Sequence, residues 1–298
     1  MKSIGGQAVI EGVMMKSPAG WSVAVRDPKG EINLKITRTD TPNRFFKLPV
    51  IRGVVALATA LIIGIKAIEF SGSIAYQEKD EKPLSPWSLA LSIGLALILA
   101  IVLFKFVPLL LTTLMGKAYQ GISGSSFFFN LIDGILRVGI FLLYVFGVGL
   151  WSEMRRIYQY HGAEHKVIYA YEAGEELTVE NAKKYKPYHP RCGTSFLLIV
   201  MVISIVVFIL IPQHWTFIEK FLSRIVLIPV IAGISYEILR LSAKIADKKI
   251  TSIIILPGLL LQRLTVREPD NSQIEVAIAA LNEVLKLDKN PAGATENA

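Results

Sequence analysis

A single cysteine, Cys192, stands in the 298 residues, so an intramolecular disulfide framework is excluded. The first fifty residues lack the apolar stretch of a signal peptide, so insertion is expected to use an internal segment, with the N-terminus kept in the cytoplasm. The chain also lacks a basic patch interleaved with aromatics of the kind that binds single strands, which argues against nucleic acid despite a formal charge of +8. Its Lys and Arg residues instead flank apolar segments, where they set topology and meet anionic lipid. No internal repeat is evident, and two-fold duplication is a common mark of transporter folds. Charge itself is missing over long stretches: no Asp, Glu, Lys or Arg occurs from Pro83 to Phe104 or from Cys192 to Ile218. A helix rising ~1.5 Å per residue needs about 20 residues to cross the hydrocarbon core, so these runs read as membrane spans.

The expected fold is mainly α: a polytopic helical membrane protein with about four spans and a small cytoplasmic α+β portion. Residues 1–49 read as a β-rich element, with strands at Gln7–Ile10, Trp21–Arg26 and Glu31–Thr37. Asp27-Pro28-Lys29-Gly30 marks a hairpin turn. Residues 50–82 hold an apolar stretch, Val54–Phe70, broken by Lys66 and Glu69, and then a charged linker, Gln77–Lys82. Two hairpins of spans follow, in 83–151 (Trp87–Val107, Phe127–Trp151) and 196–246 (Phe196–Ile211, Ile225–Ala243), separated by a polar block, 152–195. In 247–298, Ile250–Leu261 is too short to span and reads as re-entrant or packed. Ser272 and Glu275 suggest a capping box for a terminal helix with an apolar stripe of Ile274, Ala277, Ile278, Leu281 and Leu285, and 288–298 reads as disordered.

Lys and Arg number nine in 1–52, seven in 152–195 and six in 245–298, against one in 116–125 and two in 213–224. The positive-inside rule puts both termini and the central block in the cytoplasm. That orientation needs an even number of spans before residue 152, so Val54–Phe70 reads as interfacial or re-entrant. A five-span arrangement with one terminus outside is the rival.

The chemistry concentrates in His161-Gly162-Ala163-Glu164-His165. Positions four apart share a helix face, so the two imidazoles can hold one metal ion with Glu164 beside them as general base. Glu172 lies on the same face seven residues after His165. Downstream, His189-Pro190-Arg191-Cys192 adds a third imidazole and the sole thiol. Imidazole and thiolate donors suit a divalent metal, zinc before others. Cys192 precedes a helix start, where a thiolate is favoured, so it stands as ligand or as nucleophile in a Cys–His pair. A second group, Asp133 with Arg137 and Glu237 with Arg240, places opposite charges three or four residues apart within spans, where such residues usually face the bundle interior.

Three segments carry a resemblance: Gly5-Gly6-Gln7-Ala8-Val9-Ile10-Glu11-Gly12-Val13-Met14-Met15, Tyr160-His161-Gly162-Ala163-Glu164-His165-Lys166, and Pro190-Arg191-Cys192-Gly193-Thr194-Ser195-Phe196. The chain resembles, almost throughout, the bacterial YqhQ family of membrane proteins, a domain-of-unknown-function family labelled as predicted metal-dependent enzymes. That resemblance implies a multi-pass membrane protein with a metal site at His161, His165 and their neighbours. The H-x-x-E-H spacing is also that of inverzincins, whose distant third carboxylate has no evident counterpart here; Glu11 and Glu172 are the stand-ins. The reading is a metal-dependent, hydrolytic enzyme at the cytoplasmic membrane face. It has His161, His165 and His189 as ligands, Cys192 as ligand or nucleophile, Glu164 as base, and Arg191 on an anionic group of a lipid or membrane-protein substrate. The alternative is a non-enzymatic transporter or scaffold with a structural metal or none.

Overall fold

The computed structural model describes residues 4–39, 46, 48–76, 86–190, 192–212, 214–244 and 249–289. The linker at 77–82, Arg191 and the tail beyond 289 lie outside the described residues.

Four strands, β1 (Gly5–Val9), β2 (Gly12–Lys16), β3 (Gly20–Arg26) and β4 (Ile32–Arg38), form an antiparallel meander in chain order. The turn expected at 27–30 closes β3 onto β4. Asp27 accepts from the Lys29 and Glu31 N–H groups at 2.9 Å each, and Gly30 takes the left-handed φ of 91° that glycine adopts without strain. The sequence reading has no counterpart to β2, because Gly12–Lys16 is apolar on both sides. Both faces of this sheet are covered. Val13, Met15 and Ala24 point to one layer of helices, while Val9, Met14, Trp21, Val23 and Val25 point to another. Period-two alternation signals a strand only when one face is wet.

The helices are α1 (Ile51–Ala75), α2 (Pro86–Ile101), α3 (Val107–Ala118), α4 (Gln120–Ser123), α5 (Ser126–Val148), α6 (Ser152–Glu172), α7 (Val179–Lys183), α8 (Gly193–Ile209), α9 (Phe217–Val226), α10 (Ile228–Lys244), α11 (Lys249–Thr265) and α12 (Asn271–Lys289). The chain is a helical membrane protein with a small antiparallel sheet. Three stretches are long and apolar enough to cross a membrane, Ile51–Ala75, Ala90–Ala118 and Ser126–Val148, and Phe196–Ile209 is apolar but shorter. α2 and α3 form one continuous rod joined by a π-helical turn, Val102–Phe106, so this span runs past its expected end at Val107. Pro108 has no N–H to give the α-helical ladder, and the widened turn sits directly ahead of it.

α1 is a helix of 25 residues whose length and composition admit a crossing. Its first turn meets α10 so closely that a Cβ on Gly53 would stand 2.9 Å from Gly233 Cα. Farther along, Ile63 and Ala67 pack on the sheet, while Leu61, Ile62, Ile65 and Ile68 stay exposed on the opposite side. α6 and α12 cover the other sheet face with Tyr160, Ala163, Val167, Ile274, Ala277 and Leu281. The cap of α12 lies two residues before the expected one. Asp270 accepts from Gln273 N–H at 2.9 Å, and Gln273 accepts from Asp270 N–H at 3.0 Å, a reciprocal box. Glu275 pairs instead with Arg26 on β3. The segment expected as 250–261 is part of a longer helix, α11, with Pro257 inside it, packed along α8.

Candidate functional site

α6 begins after Trp151, contains no proline, and stops where Gly174 takes φ 73° and the Glu175 N–H reaches back to Ala170 O. Its placement depends on Gly162, where a Cβ would stand 2.1 Å from Arg267 O. Glycine there lets the chain leaving α11 close onto α6, and Arg267 N–H donates to Tyr158 O at 2.9 Å. That approach brings Thr265 O to His161.

His161 Nδ1 lies 3.0 Å from Thr265 O, and His165 Nδ1 lies 2.6 Å from Pro187 O. A carbonyl can only accept, so each Nδ1 carries a proton, and in the neutral ring each Nε2 presents a lone pair. His161 Nε2 points at Cys192 Sγ, 3.2 Å away. His165 Nε2 is buried with no hydrogen-bond partner, 3.4 Å from Glu164 Oε2 but outside hydrogen-bonding geometry. One donor atom each from His161, His165 and Cys192 lies within 4.8 Å of the others. Cys192 caps α8, accepting from Thr194 N–H at 3.4 Å, so the helix start faces its sulfur.

Glu164 is buried, with 5% of its surface exposed. Burial raises its pKa to about 7, against the opposing pull of His161 and of the Gly6 N–H that donates to it. Gly6 on β1 approaches so closely that a Cβ would stand 2.6 Å from Glu164 Cγ. The sequence alone assigns Gly6, Thr265 and Pro187 no role in the site, although Gly6 stands in one of the segments that carry the family resemblance. The double glycine at the head of β1 was the available signal.

His189 borders this group, its ring centroid 5.7 Å from that of His165, but it is not among the three donors. Gln262, itself buried, clamps its backbone from both sides at 2.8 Å, and its Nε2 lies 3.3 Å from Glu172. Tyr169 packs against its ring. Glu172 therefore serves His189 rather than the cluster. Glu11 is also elsewhere: it occupies the β1–β2 turn with φ 50° and binds Arg156 through both carboxylate oxygens, with Tyr160 Oη at 3.2 Å. Burial and the Glu11 charge together raise the Tyr160 pKa.

Of the expected charge pairs within helices, Asp133–Arg137 forms on α5 and gains Arg224 from α9 as a second partner. Glu237 engages Arg52 on α1, with Arg52 Nε at 2.6 Å, instead of closing onto Arg240 of its own helix.

Residues 48–287 match a family described as protein of unknown function DUF1385. A protein of Bacillus subtilis (strain 168), described as uncharacterized protein YqhQ, is 35% identical over 296 residues, covering 95% of this chain and 92% of the relative. No solved structure matches. The chain belongs to this family.

Proposed function

We propose that this member of the DUF1385 family is a metal-dependent membrane enzyme that holds one zinc ion through His161, His165 and Cys192. Its chemistry is hydrolytic, on a lipid or membrane-protein substrate at the cytoplasmic face. The observation that carries this reading is the buried, unpartnered Nε2 of His165. A neutral imidazole nitrogen without a partner costs about 1–3 kcal/mol of unreturned desolvation, which a metal ion removes. Both histidines are fixed by backbone carbonyls at Nδ1, the arrangement that orients metal-bound imidazoles.

Three protein donors would hold the ion, the number found in catalytic rather than closed structural sites. When bound, zinc would supply an acidified water and a Lewis acid for a carbonyl or phosphoryl oxygen. Glu164, adjacent to His165 Nε2 and poised near neutrality, takes and returns the proton. The start of α8 directs the Thr194 N–H at the Cys192 sulfur. The orientation follows the positive-inside distribution, and the exposed Trp151 and Tyr188 suit the depth of lipid headgroups.

Metal analysis of the full chain in detergent tests this. About one equivalent of zinc is expected, as one tetrahedral site requires. The cobalt-substituted protein should show a thiolate-to-metal absorption that Cys192→Ser removes. Metal content unchanged in His161→Ala/His165→Ala would sink the assignment.

The 3.2 Å approach of His161 to Cys192 supports a second reading, a thiol nucleophile with His161 as its base. Iodoacetamide separates the two: zinc shields Cys192 from alkylation under the first reading and leaves its rate unchanged under the second.

A further inference from the structure

Three cations surround one aromatic ring inside the helix bundle. Arg137 Cζ lies 4.9 Å, Arg224 Cζ 5.1 Å and Lys105 Nζ 5.4 Å from the centroid of Phe208. A single carboxylate answers them: Asp133 binds Arg137 through one oxygen and Arg224 through the other. The other guanidinium contacts are neutral, Arg137 to Ser204 Oγ at 2.7 Å and Arg224 to Asn130 Oδ1 at 2.8 Å. Both Nε atoms are buried without a partner, on arginines only 3% and 0% exposed. Among the described residues, no carboxylate pairs with Lys105. The group thus sets two guanidinium groups and a lysine against one carboxylate. By contrast, Arg52 and Glu237 balance one to one.

Burying charge is costly unless it is compensated, and like charges repel strongly where the dielectric is low. The face of Phe208 offsets part of this. We infer that this cluster is an anion-binding site, in which Arg137, Arg224 and Lys105 together hold a phosphate oxyanion. Two N–H donors and an ammonium suit a group with several charged oxygens. Lys105 is half-buried on the π-helical turn, a distortion that frequently marks functional positions. Ser204 is twelve residues beyond Cys192, about 18 Å along α8 at ~1.5 Å per residue, so the site is separate from the His–Cys group. Inorganic phosphate and the headgroup of an anionic phospholipid share this chemistry.

The test uses the full chain in a maltoside detergent, which carries no phosphate. Inorganic phosphate is titrated in one arm and phosphatidylglycerol in the other, with thermal shift and native mass spectrometry as readouts. Saturable binding of either probe is expected, and the arm that responds names the source. Lys105→Gln should weaken that binding about tenfold, the effect of losing one charge-assisted contact. Lys117→Gln, on the same helical rod, should leave it unchanged. Among the described residues Lys105 makes no hydrogen bond to Asp133, Arg137 or Arg224, so that variant leaves their pairing in place. Failure of both probes to bind, or equal binding by Lys105→Gln, would overturn the site.

Discussion

Gly6 and Glu164 meet across the gap between β1 and α6 at a distance that admits no side chain on the glycine. A Cβ at Gly6 would stand 2.6–2.9 Å from three Glu164 atoms, whereas one at Gly5 would meet nothing within 4 Å. Gly6→Ala should therefore destabilise the protein by about 1–3 kcal/mol through overpacking, and Gly5→Ala should be nearly silent. Thermal unfolding of the two variants in the same detergent makes the comparison. Equal effects would mean that Glu164 moves aside freely.

Glu164→Gln keeps shape and hydrogen bonding while removing the base. Expected is a protein that inserts and retains its metal but fails to complement a deletion strain. Full complementation by Glu164→Gln, with loss in His161→Ala, would make the site structural and favour a scaffold over an enzyme.

His189→Ala should retain metal where His165→Ala loses it, because His189 faces Glu172 while His165 Nε2 belongs to the three-donor group. Equal loss in both would place His189 among the ligands and discredit the three-donor assignment.

The sheet, α6 and α12 share one core, so residues 29 and 184 must lie on the same side of the membrane. Cysteines replacing Lys29 and Lys184, in a Cys192→Ser background, should both resist impermeant thiol reagents in intact cells. One replacing Gln120 should react. Labelling at 184 from outside would reverse the proposed orientation.

Asp270 supplies a pH-dependent increment of stability. Burial alone would raise its pKa, but hydrogen bonds from Ser272 and Gln273 and the charge of Arg156 outweigh that and hold it below its ordinary value. A depressed carboxylate stabilises the fold above its unfolded pKa and loses the contribution as pH falls through the folded value. Asn keeps the cap but not the charge. Asp270→Asn should thus match the wild type more closely as pH drops from 5 to 3, and a constant gap in melting temperature would refute this.

The long apolar helices were legible because an uncharged run has few interpretations, and the His161–His165 pair because helical spacing alone puts both rings on one face. His189 was not separable from the ligands by sequence: it stays beside them in space, with Cys192 N–H donating to its carbonyl, and only its pairing with Glu172, while Gln262 from 73 residues away holds its backbone, sets its Nε2 apart. Glu237 and Arg240 looked self-neutralising for the same reason. Their spacing was visible, whereas Arg52, 185 residues distant, was not. Arg224 was read as part of a connector because its partner, Asp133, lies 91 residues earlier. Partners brought together by tertiary packing leave no periodic trace.

Cys192 is both a donor of the candidate site and the residue on which α8 begins. Its two partners belong to α6, which is rooted in the sheet core. A metal held by all three would staple a membrane helix to the sheet domain at one point, with the thiol on one body and the imidazoles on the other. Any sliding or tilting of α8 would then pull on the coordination sphere, coupling occupancy to the helix's position in the bilayer. Chelation should release that staple, and faster hydrogen exchange confined to the first turns of α8 is the signature to seek.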